Sequence, residues 1–150
     1  MTLLRFRRAS DSKSIGVLTW FAVHPTSVYQ NSTVVNGDSK GVAAYLFEQS
    51  VKGSDLVAPG FVAGFSQANV GDTSGNVLGQ YCEDTGLPCS FEYSTCSDGK
   101  SQMCRGRGPE FQKLDKGISS CYEIGRRQFA GAQTIFVSRS LCDFGGVLFG

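Results

Sequence analysis

Four of the six cysteines, Cys82, Cys89, Cys96 and Cys104, crowd into the Gly-, Ser-, Pro- and Asp-rich stretch 79–117. Their gaps of six, six and seven residues do not fit the short Cys-x-x-Cys type of spacing found in zinc knuckles. An unpatterned connection of this length is far longer than most, and disulfides are the force that can order it. The stretch therefore reads as an irregular, disulfide-stapled loop in a chain that matures in an oxidising compartment. Spacing does not choose among the possible pairings and leaves Cys121 and Cys142 unassigned. Asn31-Ser32-Thr33 is a glycosylation acceptor triplet with the same implication for compartment.

Before the loop, TLLRF (2–6) and IGVLTWFAV (15–23) read as strands. Their near-continuous apolar character predicts burial on both faces. Pro25 ends the second strand and leaves His24 at its tip. GVAAYLFEQSV (41–51) predicts a helix, with Asp38 or Ser39 as cap and a face made of Val42, Tyr45, Leu46 and Gln49. FVAGFS (61–66) predicts a further buried strand, and Trp20, Phe21, Tyr45, Phe47, Phe61 and Phe65 are candidate core. After the loop, 119–137 predicts a second helix capped by Ser119 or Ser120, with Cys121, Ile124, Phe129, Ala132 and Phe136 inward. The order strand, strand, helix, strand implies a mixed α/β fold with a buried sheet and flanking helices. The Gly content, 19 of 150 residues, suits tight turns better than long helices.

The net charge of +1 supplies no field to attract nucleic acid. No apolar run is long enough to span a membrane, and the opening MTLLRFRRAS lacks a signal-peptide pattern. A disulfide-type chain without a secretion signal predicts that Met1 is an internal methionine of a longer protein. The single histidine, His24, excludes any site needing two imidazoles from these residues alone.

Three polar clusters follow apolar segments: His24–Ser27, Asn36–Asp38 and Gly71–Asn76. Ligands of α/β sheets gather at the carboxyl ends of strands. His24 reads as a metal ligand or general base, or more simply as a histidine satisfied by a carbonyl. Ser74, between turn residues, reads as an exposed nucleophile or as a capping hydroxyl. Asp38 and Asp72 have no local reason to pair.

Taken in order, WFAVHPTS, NGDSKGVAAYLFEQ, PGFVAGFSQANVGDTSGNVLG and MCRGRGP resemble the neutral ceramidase family, and GKSQMCRGRGPEFQKLDKGISSCYEIGRRQ resembles its fungal branch. The resemblance runs from about Met1 to Gln133. It implies a partial catalytic domain over 1–137 and a divergent tail over 138–150, the tail resembling the product of a frameshift or an unspliced intron. It implies hydrolysis of the N-acyl amide bond of ceramide to sphingosine and a fatty acid, by secreted or lumen-facing enzymes working at a membrane surface. It implies zinc, with His24 as one of four ligands and Ser74 as nucleophile; a nearby cation can favour a serine alkoxide and polarise an amide carbonyl. It also implies the disulfides Cys82–Cys96 and Cys89–Cys104.

Two residues depart from the family pattern: Gly75 stands where proline is usual, and Ser39 where asparagine is common. The other zinc ligands of the family fall outside these residues, which predicts that the chain alone is inactive. The alternative reading is a disulfide-stapled extracellular binding module without catalysis.

Overall fold

The computed structural model describes residues 1–29, 32–90 and 92–138. Asn31, Cys142 and all of the tail after Ser138 lie outside the described residues. Strands β1 (Thr2–Arg7), β2 (Ser14–Phe21) and β3 (Val57–Gln67) form a sheet in that spatial order. β1 and β2 are an antiparallel hairpin, while β2 and β3 run parallel, with helix α1 (Asp38–Ser50) in the crossover between them. Helix α2 (Ile118–Val137) packs beside α1. The long loop contains a short antiparallel pair, β4 (Gln80–Cys82) and β5 (Cys104–Gly106), and a single 3-10 turn at Phe111–Lys113. The fold is thus mixed α/β, as the order of elements implied.

The core lies between the two helices and one face of the sheet. Phe47, fully buried, is its centre: its ring meets those of Phe61, Phe65, Phe129 and Phe136 at centroid distances of 5.3–6.3 Å. Val17, Val57, Ala63 and Ala132 close around it. Edge-to-face aromatic pairs of this kind add to the burial term.

Several local expectations are corrected. The strands are not buried on both faces: β1 is an edge strand, and Leu4, Phe6 and Val62 lie exposed because the helices cover only the other face. β2 stops at Phe21, and β3 begins at Val57 and absorbs Pro59 and Gly60, where the register with β2 is irregular. The buried row of α1 is Ser39, Ala43 and Phe47, an i, i+4 series; Tyr45 is 59% exposed and Phe21 also faces solvent. The row is set by tertiary contact, since Gly125 of α2 comes so close that an added Cβ would lie 2.8 Å from the Ser39 carbonyl oxygen. None of the four candidate caps, Asp38, Ser39, Ser119 and Ser120, stands at its helix's N-cap: α1 starts at Asp38 itself, after Gly37, and α2 follows Gly117. The hydroxyl of Ser120 instead accepts the Glu110 N–H, and Asp115 accepts the Ser119 N–H. The Ser119 side chain first, and this main-chain bond after it, draw the Asp115 carboxyl below its ordinary range.

A candidate active site at the strand ends

His24 and Ser74 come together although fifty residues separate them in sequence order. The segment after β2 and the turn after β3 form a parallel bridge at these two residues, and the His24 N–H donates to the Thr73 carbonyl at 2.9 Å. The same carbonyl oxygen lies 3.1 Å from His24 Nδ1. A carbonyl can only accept, so Nδ1 is the donor here and, in the neutral tautomer this implies, Nε2 is the nitrogen with the lone pair. His24 is half-buried and Ser74 exposed. Ser74 Oγ accepts the Asn76 N–H at 3.1 Å, a turn bond that fixes the oxygen and leaves its own proton available.

Three supports hold this pair. The first is Asp38, the predicted cap. It is buried, with φ +45°, and its carboxylate accepts the N–H groups of Val28 (2.9 Å), Ser39 (2.6 Å) and Ser27 (3.3 Å). Asn36 Oδ1 in turn accepts the Asp38 N–H. Asp38 thereby ties the His24–Ser27 segment to the start of α1, while Asp72 lies exposed. The second is Gly117, with φ +84°, which meets the same segment so closely that an added Cβ would sit 2.0 Å from the Ser27 carbonyl oxygen. The third is Lys40, whose ammonium donates to the carbonyls of Phe21 (2.6 Å) and Ser66 (3.2 Å). It clamps the carboxyl ends of the two parallel strands, and burial lowers its pKa. Sequence reasoning missed Lys40; its place inside NGDSKG, between two turn residues and a helix, was the available signal.

The stapled loop holds the turn from the other side. Cys82 of β4 pairs with Cys96 and Cys104 of β5 with Cys89, so each strand of the β4–β5 pair is tied to the loop between them. The Leu78 N–H donates to the Arg107 carbonyl and the Arg107 N–H to the Gly79 carbonyl, so the turn bearing Ser74 continues into this hairpin. The Arg107 guanidinium lies 4.8 Å from the Phe111 ring centroid, and the Tyr81 and Phe111 rings stack on one another. Gly75, beside Ser74, is buried; a Cβ there would lie 2.9 Å from Ser27 Oγ, a hydroxyl with no hydrogen-bond partner among the described residues. The glycine therefore packs the two strand-end segments against each other with no room to spare.

His24 fits a zinc ligand on its own geometry: a carbonyl holds Nδ1, which orients the ring and leaves Nε2 for a metal. Among the described residues the groups of three potential ligands are made of the loop cysteines, two of them with a third cysteine or with Asp84, not of His24. At the strand ends the chain therefore offers one imidazole, that of His24, its single histidine. An open cleft of about 620 Å³, lined by Lys13, Glu48, Lys52, Pro59 and Phe61, lies at the opposite, amino-terminal ends of β2 and β3 and has no part in the site.

Residues 1–147 match the family described as neutral/alkaline non-lysosomal ceramidase, N-terminal. The chain is 37% identical over 142 residues to neutral ceramidase B of Dictyostelium discoideum, covering 94% of this chain and 19% of that protein. It is 31% identical over 200 aligned residues to neutral ceramidase 1 of Arabidopsis thaliana, covering 91% of this chain and 25% of that protein. Among solved structures, the neutral ceramidase from Pseudomonas aeruginosa superposes with a TM-score of 0.54 at 29% identity, over 88% of this chain and 16% of that one. A ceramidase complexed with C2 gives a TM-score of 0.57 at 27% identity, over 88% of this chain and 15% of that one. The chain thus spans about a fifth of the length of the first of these relatives.

Proposed function

The chain belongs to the neutral/alkaline non-lysosomal ceramidase family, and from that premise we propose that it supplies the nucleophile and one zinc ligand for hydrolysis of the N-acyl amide bond of ceramide. The observation that carries this reading is the main-chain bridge between His24 and Ser74, which makes the residue with the oriented imidazole and the residue with the exposed hydroxyl neighbours at the carboxyl ends of parallel strands.

In this reading Ser74 Oγ, held by the Asn76 N–H, gives up its proton and bonds to the amide carbonyl carbon; the C–N bond breaks, the sphingoid amine leaves carrying that proton, and water then hydrolyses the acyl ester to the fatty acid and restores the serine. His24 would hold zinc through Nε2, and zinc when bound supplies Lewis acidity toward a carbonyl oxygen and toward a hydroxyl. The Thr73 carbonyl keeps the ring in the required tautomer. Asp38, Gly117 and Lys40 hold the two strand-end segments at fixed separation, which is where a misplacement on the order of 1 Å costs about 10²-fold in rate. In this reading the parent enzyme works at a membrane surface, outside the cell or in the secretory lumen, and the paired cysteines support the oxidising compartment.

The test is fatty-acid release from an N-acylated ceramide substrate by the full-length parent. Ser74→Ala is expected to lower kcat by about 10³-fold or more, and His24→Ala to lower bound zinc as well. Near-normal turnover in Ser74→Ala refutes the assignment. The purified chain alone is expected to release no fatty acid; zinc-dependent turnover by it would show that these residues suffice, and a parent without amidase activity would favour a binding module.

A further inference from the structure

The cysteine cluster holds more than two staples. Cys96 Sγ and Cys104 Sγ, which belong to different disulfides, lie 3.9 Å apart. The sulfurs of Cys82, Cys89 and Cys104 lie within 4.8 Å of one another, and so do those of Cys82 and Cys96 together with an Asp84 carboxylate oxygen. All four sulfurs thus share one small volume. Four thiolates around zinc, with Zn–S bonds of about 2.3 Å, form a tetrahedron whose edges are about 3.8 Å. The separation across the two disulfides already has that size.

The surroundings suit such a site. Cys82 is fully buried, Cys96 nearly so, and Cys89 and Cys104 are half-buried, so a cation there is shielded yet reachable. Main-chain bonds that do not depend on the disulfides shape the cluster: the Cys82 N–H donates to Leu87, Gly86 to the Cys82 carbonyl, Cys89 to Gln80, and Glu83 to Met103. The sequence spacing argued against a knuckle because no two cysteines are close along the chain. Pairing of β4 with β5 removes that objection by bringing distant cysteines together.

We propose that the reduced form of this loop is a soft-cation site in which the thiolates of Cys82, Cys89, Cys96 and Cys104 hold a single zinc-class ion. Reduction of the two disulfides by a phosphine takes two electrons per bond and gives four thiols; the phosphine leaves as its oxide, with oxygen from water. Binding of the divalent cation then releases the four thiol protons to solvent. The ion would replace both staples with one, keeping β4 against β5 and the turn bearing Ser74 in place. Such a form would be open to the chain before its disulfides close.

The experiment uses the full 150-residue chain with Cys121→Ser and Cys142→Ser, so that the loop thiols are the only ones left. After anaerobic reduction with a water-soluble phosphine it is titrated with cobalt(II), with zinc(II) as competitor. The expected result is one cobalt per chain, with thiolate charge-transfer absorption and the visible bands of tetrahedral cobalt, displaced by zinc. Cys82→Ser or Cys104→Ser should each weaken binding beyond the ~10–100-fold that follows loss of an outer-shell partner. Binding in concentrated urea should fall by at least about tenfold, because unfolded thiols also bind metals but without a preformed cage. Absence of thiolate bands, octahedral cobalt, unchanged binding in Cys82→Ser, or equal affinity in urea would each overturn the proposal.

Discussion

Asp38 offers the sharpest test of how the site is held. Its carboxylate receives two short main-chain bonds, from Val28 and Ser39, and a longer one from Ser27. A hydrogen bond to a charged acceptor contributes ~1.5–3 kcal/mol, and a buried N–H left without an acceptor costs about 1–3 kcal/mol. In Asp38→Ala the two short bonds alone amount to about 3–6 kcal/mol. Alanine in the left-handed region at φ +45° adds ~1 kcal/mol. Against this, the variant no longer buries a carboxylate, which recovers part of the loss. The expected net destabilisation is about 3–4 kcal/mol, a large share of the ~5–15 kcal/mol of a typical domain.

The assay is urea unfolding followed by the fluorescence of Trp20, the single tryptophan, which lies four positions before His24. With m on the order of 1–3 kcal/mol per molar urea, the midpoint should fall by roughly 1–4 M with m unchanged. Asp38→Asn keeps one acceptor oxygen and tolerates the left-handed conformation, so it should lose about half as much. Asp38→Gly removes the strain but not the bond loss and should fall slightly short of the alanine variant. An unfolding free energy for Asp38→Ala within about 1 kcal/mol of the parent would refute the reasoning, because it would mean that the segment carrying His24 does not depend on this carboxylate.

Three further outcomes follow from the same structure. Gly117→Ala must displace the Ser27 carbonyl, 2.0 Å from the new Cβ, and should lower the thermal midpoint far more than Gly53→Ala, which has equally positive φ but open space and should cost only ~1 kcal/mol; equal effects would show that backbone strain, not contact, decides. The buried Cys121 thiol is pushed up to about 12, first by burial and then by the Asp38 charge, so iodoacetamide at mildly alkaline pH should label it only after unfolding, as read by peptide mass. A raised thiol pKa contributes stability below its unfolded value of ~8.5 that is lost as pH climbs toward the folded one. Glu123, hydrogen-bonded by Arg126 and Arg127, titrates at about 2. A depressed carboxyl contributes stability above its unfolded pKa of ~4.3 that is lost as pH falls toward the folded value. Glu123→Gln should therefore shrink the difference between urea midpoints near neutral pH and near about pH 3, modestly and less so in high salt, since the pairs are exposed. A difference identical to that of the parent would show that the pairs do not outlast solvent screening.

Much of the architecture was readable from local pattern. The hairpin strands, the crossover helix, the third strand and the long second helix occupy nearly their expected stretches, because apolar runs and helical periodicity are properties of neighbouring residues. The motifs around His24 and Ser74 carried the family for the same reason. Local pattern failed where a distant group set the outcome. Asp38 and Ser120 look like caps, but the first satisfies the loop after His24 and the second the chain at Glu110. Tyr45 has helical spacing, yet the inward row runs through Ser39, Ala43 and Phe47 because Gly125 lets α2 close on that side.

By itself, then, the sequence determined the order of elements, the oxidised loop, the family and the candidacy of His24 and Ser74. Tertiary structure alone decided that these two are neighbours, that Lys40 and Gly117 hold their segments, and that four cysteines widely spaced along the chain share one volume. The physical reason is range: propensity and periodicity act over a few residues, whereas the bridge, the close glycine approach and the sulfur cluster exist only after the parallel strands and the β4–β5 pair have closed long stretches of chain.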